Sequence, residues 1–568
     1  MKEKRMGNLN SGYQNHLKYW LTCIIGFVVI LAIIVVGGFY IAKPYLDSFI
    51  RKEIARRAIK AEKSEVSILG KVNLKNVTLP APAGISLKIG AMSARPPLSF
   101  IPGTFTFYNV DLKYNNIHIK IPQISLKSVS LKEKDRTITS HLLQSVMRIN
   151  LASIIAPNIQ LSIENEKKRT ETIEFKNFQL SDFKGGHIGS ISIKNMDLKT
   201  VAINGNKQMQ LIAKSDTVKA QDIDINYAYS IIFGKNNVLN KGKTVTGPIS
   251  LNNISIDIFE EAEKNSSFSL GQFKTSGLKM KPLEQTPEKL VKAYLNARKE
   301  NNKVAEKIAQ NGLLLNILLA ITSADAKVNN VTVDIPSLKA TLESFQFKPS
   351  LWKHPIPKKL FLSLNNFSVS PKKMNEKDLE LLKKMGFEQI DISGKVDISY
   401  DEKKRMLFLD AMAFNMKDVG SGNISAKVID VDETLFSGQQ NVMIAASQDL
   451  GINEIDIQYR DAGFIDKLFS YLAKNLNDSQ HDLKKELYDD FYLMMTQTPK
   501  ILLKNHDEAE KISKSLGEFA KNPQTLIVQI KAKDNKGLTM VDLETALQND
   551  LSKVLSKVDL AIKNEKSP

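Results

Sequence analysis

The sequence predicts a mainly β protein with α-helical parts. The expected architecture is a single amino-terminal transmembrane helix, a long antiparallel amphipathic sheet shaped as a groove or a sandwich, and a helical carboxyl-terminal subdomain. Three observations carry this expectation. Trp20 to Ala42 is a run of 23 residues without a charge. From about Val66 to Phe259 apolar and polar residues alternate with period two. After Asp461 the apolar residues return at helical spacing.

The 568 residues allow several domains or one elongated body. A composition of 42% hydrophobic and 25% charged residues argues against wholesale disorder and against a polytopic transporter. The balance of 79 basic against 61 acidic residues gives a net charge of +18, but only 11 of the basic residues are Arg. Lysine is a flexible, solubilising point charge. Here it is scattered rather than striped, and no nucleic-acid module is present, so no nucleic-acid partner is expected. A single cysteine, Cys23, excludes an internal disulfide framework and a cysteine-based zinc site.

Element by element, residues 1–19 form a short tail, expected in the cytoplasm, and residues 20–42 form the anchor. Trp20, Ile24, Phe27, Ile30, Ile34, Phe39 and Ala42 are its membrane-facing candidates. At about 1.5 Å per residue the run is long enough for a ~30 Å hydrocarbon core. A cleaved signal peptide has a shorter apolar core and a small-residue cleavage site, and neither fits here. Basic residues flank both ends (Lys2, Lys4, Arg5 and Lys18 before; Lys43, Arg51, Lys52, Arg56 and Arg57 after), so charge alone leaves orientation nearly balanced. Residues 43–65 read as a helical stalk, with Ile50, Ile54, Ala58 and Ala61 on one side.

A β-rich domain is expected over residues 66–285 and again over 323–460. Its strands place Ile117, Ile119 and Ile121 on one face. Ile191 and Ile193, Ile223 and Ile225, and Ile254, Ile256 and Ile258 follow the same pattern. These ten isoleucines are the candidates for an apolar groove, with the ordinary core of a sandwich as the competing reading. A phrase of Asn, apolar, any residue, apolar recurs at Asn76, Asn109, Asn158, Asn177, Asn195, Asn253, Asn330 and Asn366. Because Asn tolerates turn conformations, each copy is expected to open a strand after a turn. Between the β-rich parts, residues 286–322 form a helical insertion opened by Thr286-Pro287-Glu288. Residues 461–568 are expected to hold three amphipathic helices, two closing strands and a short helix between those strands.

Chemistry is sparse. No two of the seven histidines stand at helical metal-pair spacing. Gly242-Lys243-Thr244 lacks the glycine that a phosphate loop needs, since position 237 is Asn237. Asp430-Val431-Asp432-Glu433-Thr434 looks like the haloacid-dehalogenase phosphatase phrase, which requires a parallel α/β setting, and the flanks here read as antiparallel. No catalytic residue, metal or cofactor is assigned, and the chain is not expected to be an enzyme.

The single anchor followed by amphipathic strands with recurrent Asn-apolar-x-apolar phrases, over roughly Pro44 to Val431, resembles the AsmA-like envelope proteins. That resemblance implies a single-pass inner-membrane protein of Gram-negative bacteria with a periplasmic body. It further implies a curved sheet with a hydrophobic groove, and a role in phospholipid transport or outer-membrane homeostasis. Membrane lipids and envelope proteins would be the partners. The carboxyl third runs from Ile455-Asp456-Ile457-Gln458-Tyr459-Arg460-Asp461-Ala462-Gly463-Phe464 to Phe519-Ala520-Lys521-Asn522-Pro523-Gln524-Thr525-Leu526. It is similar to the ending of uncharacterised membrane-anchored alphaproteobacterial proteins. A structural scaffold of the envelope is the alternative function, and a phosphatase the remote one.

Overall fold

The structure is a computed structural model and describes residues 62–66, 71–78, 85–95, 103–131, 149–165, 169–204, 207–233, 242–283, 287–300, 302–353, 356–372, 384–387, 389–436, 440–475, 483–503, 507–539, 541–544 and 552–565. The expected tail, anchor and nearly all of the stalk lie outside these residues. Among the described residues no helix is long and apolar enough to cross a membrane. The chain divides into two compact units, Met1–Ile231 with Thr244–Glu263, and Ile232–Lys243 with Lys264–Pro568. Both are mainly β, with antiparallel pairing throughout the described ladders.

The first unit contains β1 (Lys63–Val66), β2 (Val72–Thr78), β3 (Ile85–Arg95), β4 (Thr104–Tyr114), β5 (Ile117–Lys127), β6 (Ser130–Leu131), β7 (Ile149–Asn165), β8 (Arg169–Lys184), β9 (His187–Asn204) and β10 (Lys207–Asp224). Helix α1 (Ile225–Phe233) follows, and after β11 (Lys243–Thr246) the unit ends with β12 (Ile249–Glu260). Apart from the two-residue β6, the strands meander, each pairing with the next from β1 to β10, and β12 adds to β10.

The recurrent asparagines do not open these strands. They sit inside them. Asn76, Asn109, Asn177, Asn195 and Asn253 all have φ between 49° and 56°, in the left-handed region that Asn tolerates better than other side chains. One left-handed residue turns the chain and resets which way the following side chains point. In β4, Phe105 and Phe107 are buried, Tyr108 and Asn109 are exposed, and Val110 and Leu112 are buried again. β5 shifts phase in the same way around Pro122. Ile119 and Ile121 are buried before it, and simple alternation would then bury Gln123 and Ser125. Instead Ile124 and Leu126 are buried after it.

The irregularity is shared by neighbouring strands at the same level. The ladder steps from Tyr108↔Gln123 to Val110↔Ile121, so Asn109 and Pro122 are passed over together and the overall register holds. A proline, which has no N–H to donate, is harmless at that step. On the other side Asn109 meets Gly90, and a methyl group added there would stand 3.0 Å from the Asn109 Cβ. A second kink line pairs left-handed Asp182 with Gly189, where the same methyl group would be 2.8 Å from the Asp182 Cβ.

The result is one apolar face on strands as long as 18 residues. That face forms a contiguous core from β2 to β9, with Phe107, Ile119, Ile121 and Ile159 at 0–1% exposure. Kinks of this kind raise the local twist of the strands that carry them.

One strand assignment is corrected. Ile223 ends the alternating run on β10, but Ile225 begins α1, because the Asp224 carboxylate accepts the Tyr227 N–H at 2.8 Å and caps the helix. The apolar alternation at 223, 225 and 227 therefore changes from strand to helix midway.

The second unit contains β13 (Glu263–Thr275), β14 (Leu278–Met280), α2 (Pro287–Lys299), α3 (Lys303–Ala320), β15 (Ile321–Ala324), β16 (Ala326–Asp334), β17 (Leu338–Lys353), β18 (Ile356–Pro371), β19 (Ile390–Asp401), β20 (Met406–Met416) and β21 (Gly420–Ile429). A 3-10 turn (Glu433–Phe436) and α4 (Gln440–Ser447) lead to β22 (Gly451–Asp461). Then come α5 (Phe464–Asn475), α6 (Leu483–Leu502), α7 (Asp507–Lys521), β23 (Thr525–Ala532), β24 (Leu538–Thr539), α8 (Ser552–Lys557) and β25 (Val558–Glu565). The ladder runs β13, β16, β17, β18, β19, β20, β21, β22, β23, β25.

The same kink recurs here at Asn330 and Asn366, with φ of 54° and 47°. Asn330 lies against Gly271, and Asn366 hydrogen-bonds Glu343 on one neighbouring strand while its N–H donates to Ser393 Oγ at 2.9 Å on the other. An Asn amide donating to a carboxylate on, or just before, an adjacent strand is a repeated device, seen also at Asn76–Glu62 (2.6 Å), Asn158–Glu174 (2.7 Å) and Asn253–Asp216 (2.8 Å).

Replacing Asn109 with valine is expected to destabilise the protein by about 1–3 kcal/mol, the strain of a branched residue in the left-handed region. Glycine at the same position should cost less than about 1 kcal/mol. Urea unfolding of the two variants beside the parent measures the difference, and equal losses would show that side-chain contacts rather than backbone conformation hold the kink.

Candidate functional site

The apolar face of the second unit differs from that of the first. Among the described residues no Val, Leu, Ile, Met or Phe of β13, β16, β17 or β18 is fully buried, and in this unit's main ladder the strand core residues begin at Tyr400. The apolar residues nevertheless line up across the strands. One row runs Phe347, Leu362, Val396, Met412, Ile424, Ile457, Val528 and Ile562, each opposite the next in register. A parallel row runs Phe273, Val328, Phe345, Leu364, Gly394, Phe414, Gly422 and Tyr459. Every member outside the two glycines is apolar or aromatic. Side chains opposite one another in antiparallel strands share a face, so each row is a continuous apolar stripe.

The two glycines open a cleft in this stripe. A cavity of about 590 Å³ lies over β17 to β22, walled by Phe345, Leu364, Val396, Met412, Phe414, Ile424, Ile457 and Tyr459. Met412 (52% exposed) and Phe414 (44%) stand at its rim. Gly422 makes room for the Phe414 ring, which would lie 2.4 Å from an added methyl group. Gly394 is different: the nearest atom to an added methyl is the Ala413 carbonyl oxygen, at 3.5 Å. The other described strand glycines each have a neighbour within about 3 Å of that point, so packing explains them and does not explain Gly394.

Tyr459 closes one end. Its hydroxyl donates to Asp461 Oδ1 at 3.0 Å, and Asp461 also accepts the Gly463 N–H at 2.8 Å at the start of α5. Burial first, then the Asp461 charge, pushes the Tyr459 hydroxyl well above its ordinary pKa, so it stays neutral. The ring packs edge-on against Phe519 of α7, 6.3 Å between centroids. Beyond this point helices cover the stripe: α5 brings Ile465 and Phe469, α6 brings Phe491, and α7 brings Phe519 into one cluster with Tyr459 and Leu526. Leu503, Ile512 and Leu555 cover Ile530, Leu560 and Ile562. The part of the stripe that lines the cavity is β17 to β22, six strands and roughly 24 Å at ~4.8 Å spacing.

The sequence-predicted residues fall elsewhere. Trp20, Ile24, Phe27, Ile30, Ile34, Phe39 and Ala42 lie outside the described residues. Ile119 and Ile121 are core, each 1% exposed. Ile117, Ile191, Ile193, Ile223 and Ile225 pack against that core. Ile254, Ile256 and Ile258 are half-buried on β12, opposite Ser215, Ala213 and Leu211. The cleft residues were not singled out, although glycines alternating with apolar residues at 394 and 422 were the available signal. Asp430 has φ of 59° just after β21, and Asp432 accepts the Thr434 N–H (2.9 Å) and hydroxyl (2.8 Å), capping the 3-10 turn. Antiparallel β20 and β22 flank β21, so the parallel setting of the phosphatase phrase is not there. Among the described residues no group of three or more His, Cys, Asp or Glu could hold a metal ion.

Residues 413–565 match the model of a family described as "Uncharacterized protein". No curated protein matches the chain. The matched segment takes in one side of the cleft, from β20 to β22, and the helices that cap the stripe.

Truncating the two kinds of apolar residue should separate core from cleft. Phe107→Ala is expected to cost about 3–5 kcal/mol, as for a fully buried ring. Met412→Ala should stay within about 1 kcal/mol. Chemical denaturation measures both, and a large loss at Met412 would mean that the cleft is closed in solution.

Proposed function

We propose that the chain is a membrane-anchored protein of the bacterial cell envelope that holds acyl chains of phospholipid on the open apolar stripe of its second unit. The carrying observation is that stripe: contiguous apolar rows, half-exposed over six strands and notched at Gly394. A face of this kind in water is a liability unless something covers it. Acyl chains suit it because they need no polar partner, and each buried methylene contributes about 0.8 kcal/mol. The open stretch of roughly 24 Å exceeds the ~15 Å that one leaflet offers an acyl chain, half of a ~30 Å bilayer core. A chain lying along the row is accommodated in full. The resemblance to AsmA-like proteins and the uncharged run at residues 20–42 support a single-pass inner-membrane anchor with a periplasmic body. The envelope scaffold remains the second reading, favoured by the filled core of the first unit, which leaves Ile119 and Ile121 no ligand to hold.

The test is photo-crosslinking in the living membrane. A photoreactive amino acid is placed at Met412, at Phe414 or at Tyr108, an exposed residue of the first unit, in the full-length chain in a Gram-negative host. Mass spectrometry is expected to find phospholipid adducts at 412 and 414 and none at 108. Gly394→Leu, which puts a side chain where an added Cβ meets nothing closer than the Ala413 carbonyl oxygen at 3.5 Å, should reduce those adducts several-fold. Protein adducts at 412 and 414, with lipid no commoner there than at 108, would move the scaffold reading to first place.

A further inference from the structure

The ladder of the second unit ends on β25. Among the described residues β25 pairs with β23 on one side and with no strand on the other. An open strand edge is a template for another strand. The order of residues on this edge is complementary to itself. In an antiparallel pairing of two copies centred on Ala561, Asp559 of each copy faces Lys563 of the other, and Leu560 faces Ile562. Asp559 and Lys563 each meet a charge of opposite sign, and the apolar pair falls on the apolar face. Asp559 is open to engagement: its side chain is 73% exposed and its ion-pair partner Lys533 stands 3.9 Å away.

A second observation lies beside the same strand. A cleft of about 430 Å³ has β25 Leu560 in its wall together with Leu555 of α8 and Met494, Met495 and Leu502 of α6. Met494 and Leu502 are 55% and 49% exposed. Pairing along one short strand is too small for a stable dimer by itself, and these side chains supply apolar surface next to it.

We propose that two copies of this chain associate through β25, edge to edge and antiparallel, about a two-fold axis at Ala561. The axis stands perpendicular to the sheet, so the apolar faces of both copies lie on the same side. This inference is independent of the acyl-binding reading, since it concerns a different part of the second unit and needs no ligand.

The test uses the full-length chain with Cys23→Ser as background. Ala561→Cys places two thiols across the axis, within the roughly 4.5–5.5 Å Cα spacing of directly opposed residues. Lys563→Cys places each thiol opposite Asp559. Mild oxidation should link Ala561→Cys into a disulfide dimer at least about tenfold faster than Lys563→Cys, as expected of register-specific pairing. Asp559→Lys sets like charges opposite each other twice and should weaken dimerisation about tenfold in sedimentation velocity. The exchange Asp559→Lys with Lys563→Asp should restore it. Equal cross-linking at the two positions, a monomeric parent, or an exchange that fails to restore dimerisation would each overturn the proposal.

Discussion

A residue with an L side chain placed in the left-handed region inside a strand is the constraint on which this structure rests. Asparagine at that conformation turns the chain once, and the side chains beyond it point the other way relative to simple alternation. The strand across from it must leave room, which is why Gly90 faces Asn109 and Gly271 faces Asn330. Where the partner is proline, as at Pro122, the skipped rung hides its missing donor. The kink at Asn195 divides the 18-residue β9 into two pieces of about half its length, within the usual 3–10 residues of a strand. Each piece is short enough to twist freely, and the ladder remains continuous because neighbouring strands kink together.

From that device follow both apolar faces. In the first unit the face closes so completely that Phe107 and Ile124 are 0% exposed, and the free energy of burial there goes into stability. In the second unit the same alternation yields rows that stay half-exposed from β17 to β22 and become covered only where α5, α6 and α7 settle on them. The helices thus act as a cap at one end of a stripe whose middle members line a cavity. One fold grammar has produced a filled core in one case and an open surface in the other.

Much of this was legible in the sequence, and the limits have physical causes. Period-two isoleucine runs mark strands because only an extended chain puts alternate residues on one face, and the antiparallel sheet follows from one face being polar. The Asn phrase was visible, but its four residues suggest a turn. Extended backward it reads apolar-x-apolar-x-Asn-apolar-x-apolar, as in Phe105 to Leu112, and the shift of phase across Asn marks a kink inside a strand. The Ile223-x-Ile225-x-Tyr227 run fits both strand and helix start, and the cap at Asp224 decides for helix. The cleft was the least legible part, because exposure depends on how tightly the sheet coils, and alternation is identical in closed and open faces.

Gly394 shows where such an open face departs from what folding alone asks. Glycine in a strand interior weakens it, since the chain loses more freedom and contributes no side chain to packing, at roughly 0.5–1 kcal/mol. Gly90, Gly189, Gly271, Gly420, Gly422 and Gly451 each have a neighbouring atom that an added methyl would strike, so the loss is unavoidable there. Gly394 has none closer than 3.5 Å, and its neighbours in the row, Leu364 and Phe414, are large. A Cβ added there would meet no clash. The notch is therefore a property of the cleft, and the packing of the sheet does not require it.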